Sequence, residues 1–306
     1  MLKTITNNNL AWNHIQNPSK KDWLFIEEDL NVPSSVMMEM IETIQQPRIE
    51  RWKDNLYINI NIPLFNRTKQ TTETGDLHIV ISPKGLTTIA FKPNMPVRSI
   101  FHHAKKSDRF RDELIQGTTG ALFIGFLEEL TSLSFDKIKH INENIDWVKE
   151  TIFDEDSYNH VQEISKIKLD ILMFQRILKP QKNILSTMLN EKFEQLNTPE
   201  IRSSIRQLIR TNIKVWNSIE SAQEIIESLE ITNNSMVSFR LNNTMRFLAA
   251  VSLITFAMSV TLGIFSIIPF GSFRAANSPG MFFVAMFMLL IVTLVALLVF
   301  RRKKWL

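Results

Sequence analysis

Two uncharged hydrophobic segments in the last quarter of the chain constrain its fold most strongly. No charged residue occurs from Phe247 to Phe270 or from Met281 to Phe300, which are about 24 and 20 positions long. A helix of about 20 apolar residues crosses the hydrocarbon core of a bilayer. Helices buried in soluble proteins rarely stay uncharged over such lengths. The sequence therefore predicts two transmembrane helices, at 247–270 and 281–300.

Basic residues flank these two segments on one side only. Arg240 and Arg246 precede the first segment, and the cluster Arg301–Lys304 follows the second. The linker 271–280 carries a single charge, Arg274, and ends in a proline-glycine turn signal. Because Lys and Arg concentrate on the cytoplasmic side of membrane helices, we expect both termini in the cytoplasm and a short hairpin outside, in an inner or plasma membrane.

The overall composition excludes several classes of function. The net charge is +4, but no basic cluster is interleaved with aromatic residues, so we expect no nucleic-acid partner. The chain has no cysteine, which excludes disulfides, thiolate catalysis and cysteine metal sites. No glycine-rich phosphate loop or nucleophile motif is found in the sequence, so we do not expect an enzyme.

Residues 1–120 alternate between apolar and polar side chains in the manner of strands. One strand is predicted at Leu56–Ile62, and a hairpin joins strands at Leu77–Ile81 and Leu86–Phe91. A short helix is predicted at 34–45, between strands. This region is therefore expected to form an α+β cytoplasmic domain with one sheet.

The period changes to that of a helix near Ala121. The first apolar stripe consists of Ile138, Ile141, Ile145, Val148 and Ile152, and the second of Val161, Ile164, Ile171, Phe174 and Leu178. The acidic turn 154–156 separates them and lacks the glycine and spacing of a calcium loop. We expect two antiparallel helices, with this turn as a solvated tip and the second helix ending near Pro180.

A third helix is predicted to be very long. Thr198 is a suitable N-cap, Pro199 suits the first helical position, and no further proline occurs before Pro269. The apolar stripe along this helix consists of Ile205, Leu208, Trp216, Ile219, Ile226 and Leu229. A continuous helix of this length would extend about 100 Å at 1.5 Å per residue. The predicted regions are therefore a helical hairpin with a stalk at 121–246 and a membrane region at 247–306.

These features together resemble the CorA family of magnesium and divalent-cation transporters. The resemblance rests on a long helix entering the first of two close spans, on the C-terminal Lys303–Leu306, and on the motifs Gln46–Glu50, Leu56–Ile58 and Phe174–Pro180. It implies an α/β/α sandwich, a homopentamer surrounded by membrane lipids, and a divalent cation, Mg²⁺ first and Zn²⁺ or Co²⁺ next, as the transported or regulatory ion. Two spans cannot enclose a water-filled path, which independently favours several copies.

One face of the first span is a candidate pore lining. Its residues follow each other at spacings of three and four: Asn242, Met245, Leu248, Ser252, Phe256, Ser259 and Gly263. The family resemblance implies that this face lines the pore, with apolar rings that gate by dewetting and serine rings between them. The alternative is ordinary helix packing, in which serines bond their own backbone and allow helices to approach closely.

The outer end of this span departs from the family pattern. The family carries Gly-Met-Asn after a Gly-Ile-aromatic sequence, whereas here Gly263–Phe265 is followed by Ser266, Ile267 and Ile268. Isoleucines offer only backbone oxygens to the water shell of Mg²⁺, so altered selectivity is expected. Arg274 would either repel cations near the entrance or contact lipid phosphate.

Three functions therefore follow from the sequence. The preferred one is a divalent-cation channel. The alternatives are a non-conducting membrane scaffold or regulator and a weakly selective, anion-tolerant channel. A further metal site at His102, His103 and Asp108 is less expected than an exposed polar pair of histidines.

Overall fold

The computed structural model describes residues 2–7, 10–41, 46–66, 71–93, 95–153, 157–191 and 193–267, together with single positions between 283 and 302. The chain divides into two compact units, Met1–Glu230 and Ile231–Leu306.

The first unit contains one six-stranded sheet. Its strands are β1 (Leu2–Asn7), β2 (Leu10–Gln16), β3 (Arg48–Trp52), β4 (Asn55–Asn66), β5 (Thr71–Ser82) and β6 (Gly85–Ala90). Their order across the sheet is β1-β2-β6-β5-β4-β3. The pair β2 and β6 is parallel, and the other neighbours are antiparallel. The predicted strand at 56–62 and the predicted hairpin are both confirmed.

Gly85, at the turn between β5 and β6, lies directly against the neighbouring strand β2. Ser82 and Gly85 are paired across the turn. A Cβ atom at Gly85 would lie 2.0 Å from the carbonyl oxygen of Ala11 in β2. Any other residue there would separate the parallel strands β2 and β6.

Helices cover both faces of the sheet. On one face, α1 (Lys20–Glu28) and α2 (Ser34–Ile41) pack on a cluster that includes Tyr57, Val80 and Ile89. The opposite face bears the neighbouring residues of the same strands, which pack against α3 (Pro96–Lys106), α4 (Asp108–Leu114) and α5 (Thr119–Thr151). The expected α/β/α sandwich is confirmed. Residues 42–45 of the predicted short helix lie outside the described residues.

The helix α5 and its partner α6 (Ser157–Asn190) form the predicted hairpin. Their buried stripes contain every predicted residue except Val161, whose side chain is 48% exposed. Val161 lies about 100° around the helix from the centre of the stripe. The buried position is taken by His160, which is 1% exposed and whose Nε2 lies 3.0 Å from Thr151 Oγ1. The acidic turn 154–156 lies outside the described residues.

The prediction that this helix ends near Pro180 was wrong. α6 continues to Asn190 with Pro180 inside it. An internal proline costs about 3 kcal/mol through a lost hydrogen bond and a clash. Beyond it, Ile184, Leu185 and Met188 are buried in the core beneath the sheet. Burying each of these side chains contributes about 1.5–3 kcal/mol, which offsets the cost.

After a short 3₁₀ turn at Glu194–Leu196, the last described helix, α7, runs from Pro199 to Ile267. It begins as predicted, because the Thr198 side chain accepts a hydrogen bond from the Ile201 backbone at 3.3 Å. The predicted stripe of α7 in the first unit is buried or half-buried. The helix continues without interruption into residues 247–267.

Among the described helices, only α7 is long and apolar enough to cross a membrane. An 18-residue stretch within Pro199–Val260 has a mean hydropathy of 1.4, and 6% of it is buried. A core helix of a soluble protein would be mostly buried, so this exposure agrees with the predicted first span. Of the second predicted span, only single helical positions between 283 and 295 are described.

Candidate functional site

The candidate site is the part of α7 that belongs to the second unit. Between residues 241 and 260 nearly every side chain is exposed. The exceptions are Ala250, which is buried, and Ile254 and Ala257, which are half-buried. At about 100° per residue, these three positions occupy a sector of about 60°. Only this narrow face of the helix is covered within the protomer.

The predicted pore stripe lies on the opposite side of the helix. Six of its residues fall in a sector of about 80°, centred about 190° from the covered face: Met245, Leu248, Ser252, Phe256, Ser259 and Gly263. Asn242 lies about 40° outside this sector, about 80° from its centre. All seven positions are exposed. None of them packs in the interior of the protomer.

The large apolar side chains of this face are strongly exposed. Met245 is 60% exposed, Leu248 53% and Phe256 67%. Such apolar surface in a membrane segment contacts either lipid or another copy of the chain. The exposure of these side chains agrees both with lining a pore and with packing between copies. The assignment of these residues to a pore therefore stays a prediction.

The hydroxyl groups on α7 differ in their hydrogen bonds. Ser259 Oγ donates to the carbonyl oxygen of Thr255 at 2.9 Å, and Thr255 Oγ1 donates in the same way to Val251. Ser252 makes no hydrogen bond within the described structure. A serine bonded to its own backbone still keeps oxygen lone pairs that can accept from water. The face thus offers hydroxyl oxygens between apolar side chains.

The charges on this segment are all positive. No Asp or Glu occurs from Ile231 to Ile267, and the charged residues are Arg240, which is half-buried, and Arg246, which is exposed. Neutral oxygens without a carboxylate do not replace the inner water shell of Mg²⁺, which dehydrates reluctantly. This helix face can therefore contact a hydrated cation, but it does not form a tight metal site.

The outer end of the segment is described only in part. A Cβ added at Gly263 would have no neighbour within 4 Å among the described atoms. The backbone at Ser266 and Ile267 is helical. Ile268, Arg274 and the linker 271–280 lie outside the described residues, so the predicted selectivity positions have no described side-chain geometry.

The histidine pair of the first unit does not form a metal site in the described structure. The His103 ring stacks on Phe110 with ring centroids 4.1 Å apart, and Asp108 pairs with Arg111 at 2.9 Å. His102 is exposed. No group of three potential ligands is found among the described residues.

Two other histidines are buried in the sheet, and their burial was not predicted from the sequence. Burial lowers the pKa of His14 to about 4 and that of His78 to about 3. The His78 Nδ1 lies 2.9 Å from the Tyr57 hydroxyl, and burial raises the pKa of that phenol. Both imidazoles are therefore neutral in the fold. Strand alternation could have indicated their burial, because each lies in an apolar strand.

Sequence reasoning also missed a group of cations that the fold brings together. Lys3 in β1, Arg98 in α3 and Lys137 in α5 line one cleft of the first unit. They are separated by more than thirty positions in the sequence, so no local motif signals them.

Comparison with known proteins places these features in context. A family model described as CorA-like Mg²⁺ transporter protein matches residues 7–303. The cobalt/magnesium transport protein CorA of Methanocaldococcus jannaschii is 19% identical over 296 residues, covering 97% of this chain and 91% of the relative. The protein of the same name from Thermotoga maritima is 17% identical over 282 residues, covering 92% and 79%.

The fold agrees with the solved structure of a CorA magnesium transporter. The complete structure of the CorA magnesium transporter from Methanocaldococcus jannaschii superposes with a TM-score of 0.82 at 18% identity. The match covers 99% of this chain and 93% of that structure. The likeness therefore extends through both units of the chain.

Proposed function

Because the chain belongs to the family of CorA-like Mg²⁺ transporter proteins, we propose that it forms a homopentameric membrane channel for divalent cations. Mg²⁺ is the first candidate ion and Co²⁺ or Zn²⁺ the next. The observation that carries the proposal is the exposed face of α7, from Met245 to Gly263, opposite the single covered face at Ala250.

Assembly follows from what a single protomer cannot do. Two helices cannot enclose a water-filled path, so a channel needs several copies. Five copies would turn the face with Ser252 and Phe256 toward a common axis. The faces that remain exposed would then contact the second spans and lipid.

The composition of this face suits passage of a hydrated ion. Ser252 and Ser259 supply hydroxyl oxygens, while Leu248 and Phe256 supply apolar rings that exclude water when the pore is narrow. Because the segment has no carboxylate, a cation would keep its water shell and leave easily. Asn242 would add a ring of amides at the cytoplasmic end.

The orientation is also part of the proposal. Both termini are cytoplasmic, and the linker 271–280 is outside, because Arg240, Arg246 and the cluster 301–304 are the basic flanks. The chain has no cysteine. Cysteines introduced at Ser272 and at the exposed Ser99 should therefore react with an impermeant thiol reagent from outside and inside respectively, and the reverse pattern contradicts the orientation.

One departure from the family pattern favours two alternative functions. Ser266, Ile267 and Ile268 stand where the family carries Gly-Met-Asn, and Arg274 is the only charge in the outer linker. Without amide oxygens and with a positive ring at the entrance, cation capture would be weak. The alternatives are a non-conducting scaffold or regulator and a weakly selective channel that also passes anions.

Flux measurements on the purified protein in liposomes test these functions. We expect Mg²⁺, and more weakly Co²⁺ or Zn²⁺, to pass faster than through protein-free vesicles. Passage of chloride instead would favour the anion-tolerant channel, and no flux from an intact pentamer would favour the scaffold. A stable monomer or dimer by mass measurement in detergent would contradict the assembly.

Two leucines of the same segment provide a matched test of the face. Leu248 lies in the proposed pore stripe, whereas Leu253 is equally exposed but lies about 100° from the stripe centre. Leu248→Ala should widen and wet the narrow part of the pore and raise the cation leak several-fold. Leu253→Ala should leave the flux unchanged. Equal flux in both variants and the parent would assign the stripe to packing.

A further inference from the structure

The first unit contains a large cleft lined by cations. Its volume is about 1000 Å³, and residues of β1, β2, α3 and α5 line it. Its formally charged lining side chains are all positive: Lys3, Arg98, Lys105, Lys106 and Lys137. Asp136 lines an adjoining cavity of about 310 Å³. The cleft is therefore a region of concentrated positive potential.

Four of these five cations form no ion pair among the described residues. Lys3, Arg98, Lys105 and Lys106 are exposed, and none of the ion pairs in the described part of the chain includes them. By contrast, Arg109 and Arg111 on the next helix are both paired with carboxylates. Placing four unpaired cations around one cleft costs electrostatic free energy through mutual repulsion. A bound anion would relieve that repulsion.

A buried imidazole in the lining adds a second feature. His14 is 2% exposed, and its Nδ1 lies 3.1 Å from Thr88 Oγ1. Thr88 Oγ1 also lies within hydrogen-bond distance of the Asn13 carbonyl, at 3.2 Å. The other ring nitrogen of His14, Nε2, has no hydrogen-bond partner among the described residues. In either tautomer this nitrogen can bond to a ligand hydroxyl, as an acceptor through its lone pair or as a donor through its N–H.

The size and chemistry of the cleft together indicate a class of ligand. Small-molecule sites usually measure about 300–1000 Å³, so the cleft is larger than one phosphate ion requires. Lysines and arginine suit several phosphate groups. A sugar hydroxyl, which can both donate and accept a hydrogen bond, would satisfy the unpartnered Nε2 of His14. Leu64, Met95 and Phe101 give an apolar part of the lining.

We propose that this cleft binds a nucleoside di- or triphosphate, with the phosphates on the cations of β1, α3 and α5 and the nucleoside toward His14. This site is separate from the proposed ion path and does not depend on transport. Phosphates could also come from an anionic lipid headgroup, and a neighbouring copy could fill the cleft with an acidic segment. The experiment distinguishes all three occupants.

Direct binding to the full-length protein in detergent is the test. Binding of ATP, without added divalent metal, is measured by calorimetry beside inorganic triphosphate, orthophosphate and vesicles with or without phosphoinositide. We expect ATP to bind more tightly than triphosphate, and orthophosphate weakly. Binding only to phosphoinositide vesicles, or no binding because another copy occupies the cleft, overturns the proposal.

Matched lysine pairs show whether the cleft is the site. Lys105→Gln with Lys106→Gln removes two lining charges and should weaken ATP binding by about tenfold or more. Lys20→Gln with Lys21→Gln changes an exposed adjacent pair on α1, outside the cleft, and should not weaken it. The same effect in both pairs would show nonspecific charge attraction and overturn the proposal.

A variant of His14 tests the nucleoside end of the site. His14→Phe removes the unpartnered ring nitrogen, and it should weaken ATP binding while leaving triphosphate binding unchanged. If the variant fails to fold, as far-ultraviolet circular dichroism would show, methylation of the ligand's ribose hydroxyls supplies the same test on the unchanged protein. Equal affinity for ATP and its methylated form overturns the assignment of the nucleoside to His14.

Discussion

The two units of the chain place their apolar side chains in opposite environments. In the first unit, Phe123, Phe126 and Phe174 are fully buried between helices and the sheet. In the second, Phe247 is 49% and Phe256 67% exposed, although the surrounding segment is the most apolar part of the described chain. Both regions are rich in hydrophobic residues, and only one of them buries these residues with its own contacts.

This difference shows which partners each unit needs. Burial of apolar surface drives folding in water, so the first unit can be stable as a single protomer. The exposed faces of α7 have no such partner within the protomer. In the proposed channel, lipid and other copies of the chain cover them.

The largest expected effect comes from separating the two units. A protein that ends at Glu230 keeps the buried stripe of α7, including Ile219 and Ile226, and loses the exposed span. It should remain soluble without detergent and unfold in one cooperative transition, followed by circular dichroism. The full chain should precipitate in the same buffer.

Aggregation of residues 1–230 under these conditions would contradict the comparison. It would mean that the first unit also depends on contacts from the rest of the chain. A broad transition without cooperativity would have the same meaning.

The next effect tests the core of the first unit. Phe174 is 1% exposed in the cluster between α5, α6 and α7. Phe174→Ala should lower the free energy of unfolding by about 3–5 kcal/mol, because it removes a buried ring and leaves a cavity. Urea denaturation of residues 1–230 measures this change.

A neighbouring leucine on the same helix serves as the control. Leu172 is 53% exposed, so Leu172→Ala should change the free energy of unfolding by no more than about 0.5 kcal/mol. Similar losses in the two variants would show that α6 is not packed as described.

The sequence predicted much of the first unit because its signals are local. The alternation in β4 and β5 and the three-four spacing in α5 each reflect burial on one face. The errors arose where burial overrode a local signal. α6 continues through Pro180 to bury Ile184 and Met188, and His160 rather than Val161 occupies the buried position.

The candidate site was less predictable for a different reason. The spacing from Met245 to Gly263 identifies one face of α7, but spacing does not say whether lipid, another copy or an ion path meets it. The basic cleft could not be predicted at all, because Lys3, Arg98 and Lys137 come together only when the sheet and helices pack.

Acid should weaken the first unit through its buried histidines. Burial, helped by the positive charges of Lys3 and Arg48, holds the pKa of His14 at about 4 and of His78 at about 3. The unfolded chain binds protons near pH 6.5 and the folded chain does not. The stability is therefore complete above about pH 6.5 and falls as the pH drops toward 4, by about 4 kcal/mol for both histidines at pH 5.

Urea midpoints of residues 1–230 between pH 7.5 and 5 measure this loss. His78→Gln should remove about half of it. A parent protein as stable at pH 5 as at pH 7.5 would contradict the neutral, buried state of these imidazoles.

The smallest expected effect on stability is that of Phe256→Ala, the counterpart of Phe174→Ala in the second unit. Phe256 is 67% exposed and makes little contact within the protomer. The free energy of unfolding of the first unit, measured by thermal denaturation of the full chain, should therefore change by less than about 0.5 kcal/mol. The same variant should raise cation leak in liposomes, because it removes an apolar ring from the proposed path. Two phenylalanines would then have opposite profiles, one affecting only stability and the other only flux. If Phe256→Ala instead destabilises the pentamer and leaves the flux unchanged, Phe256 packs between copies, and the non-conducting scaffold becomes the better function.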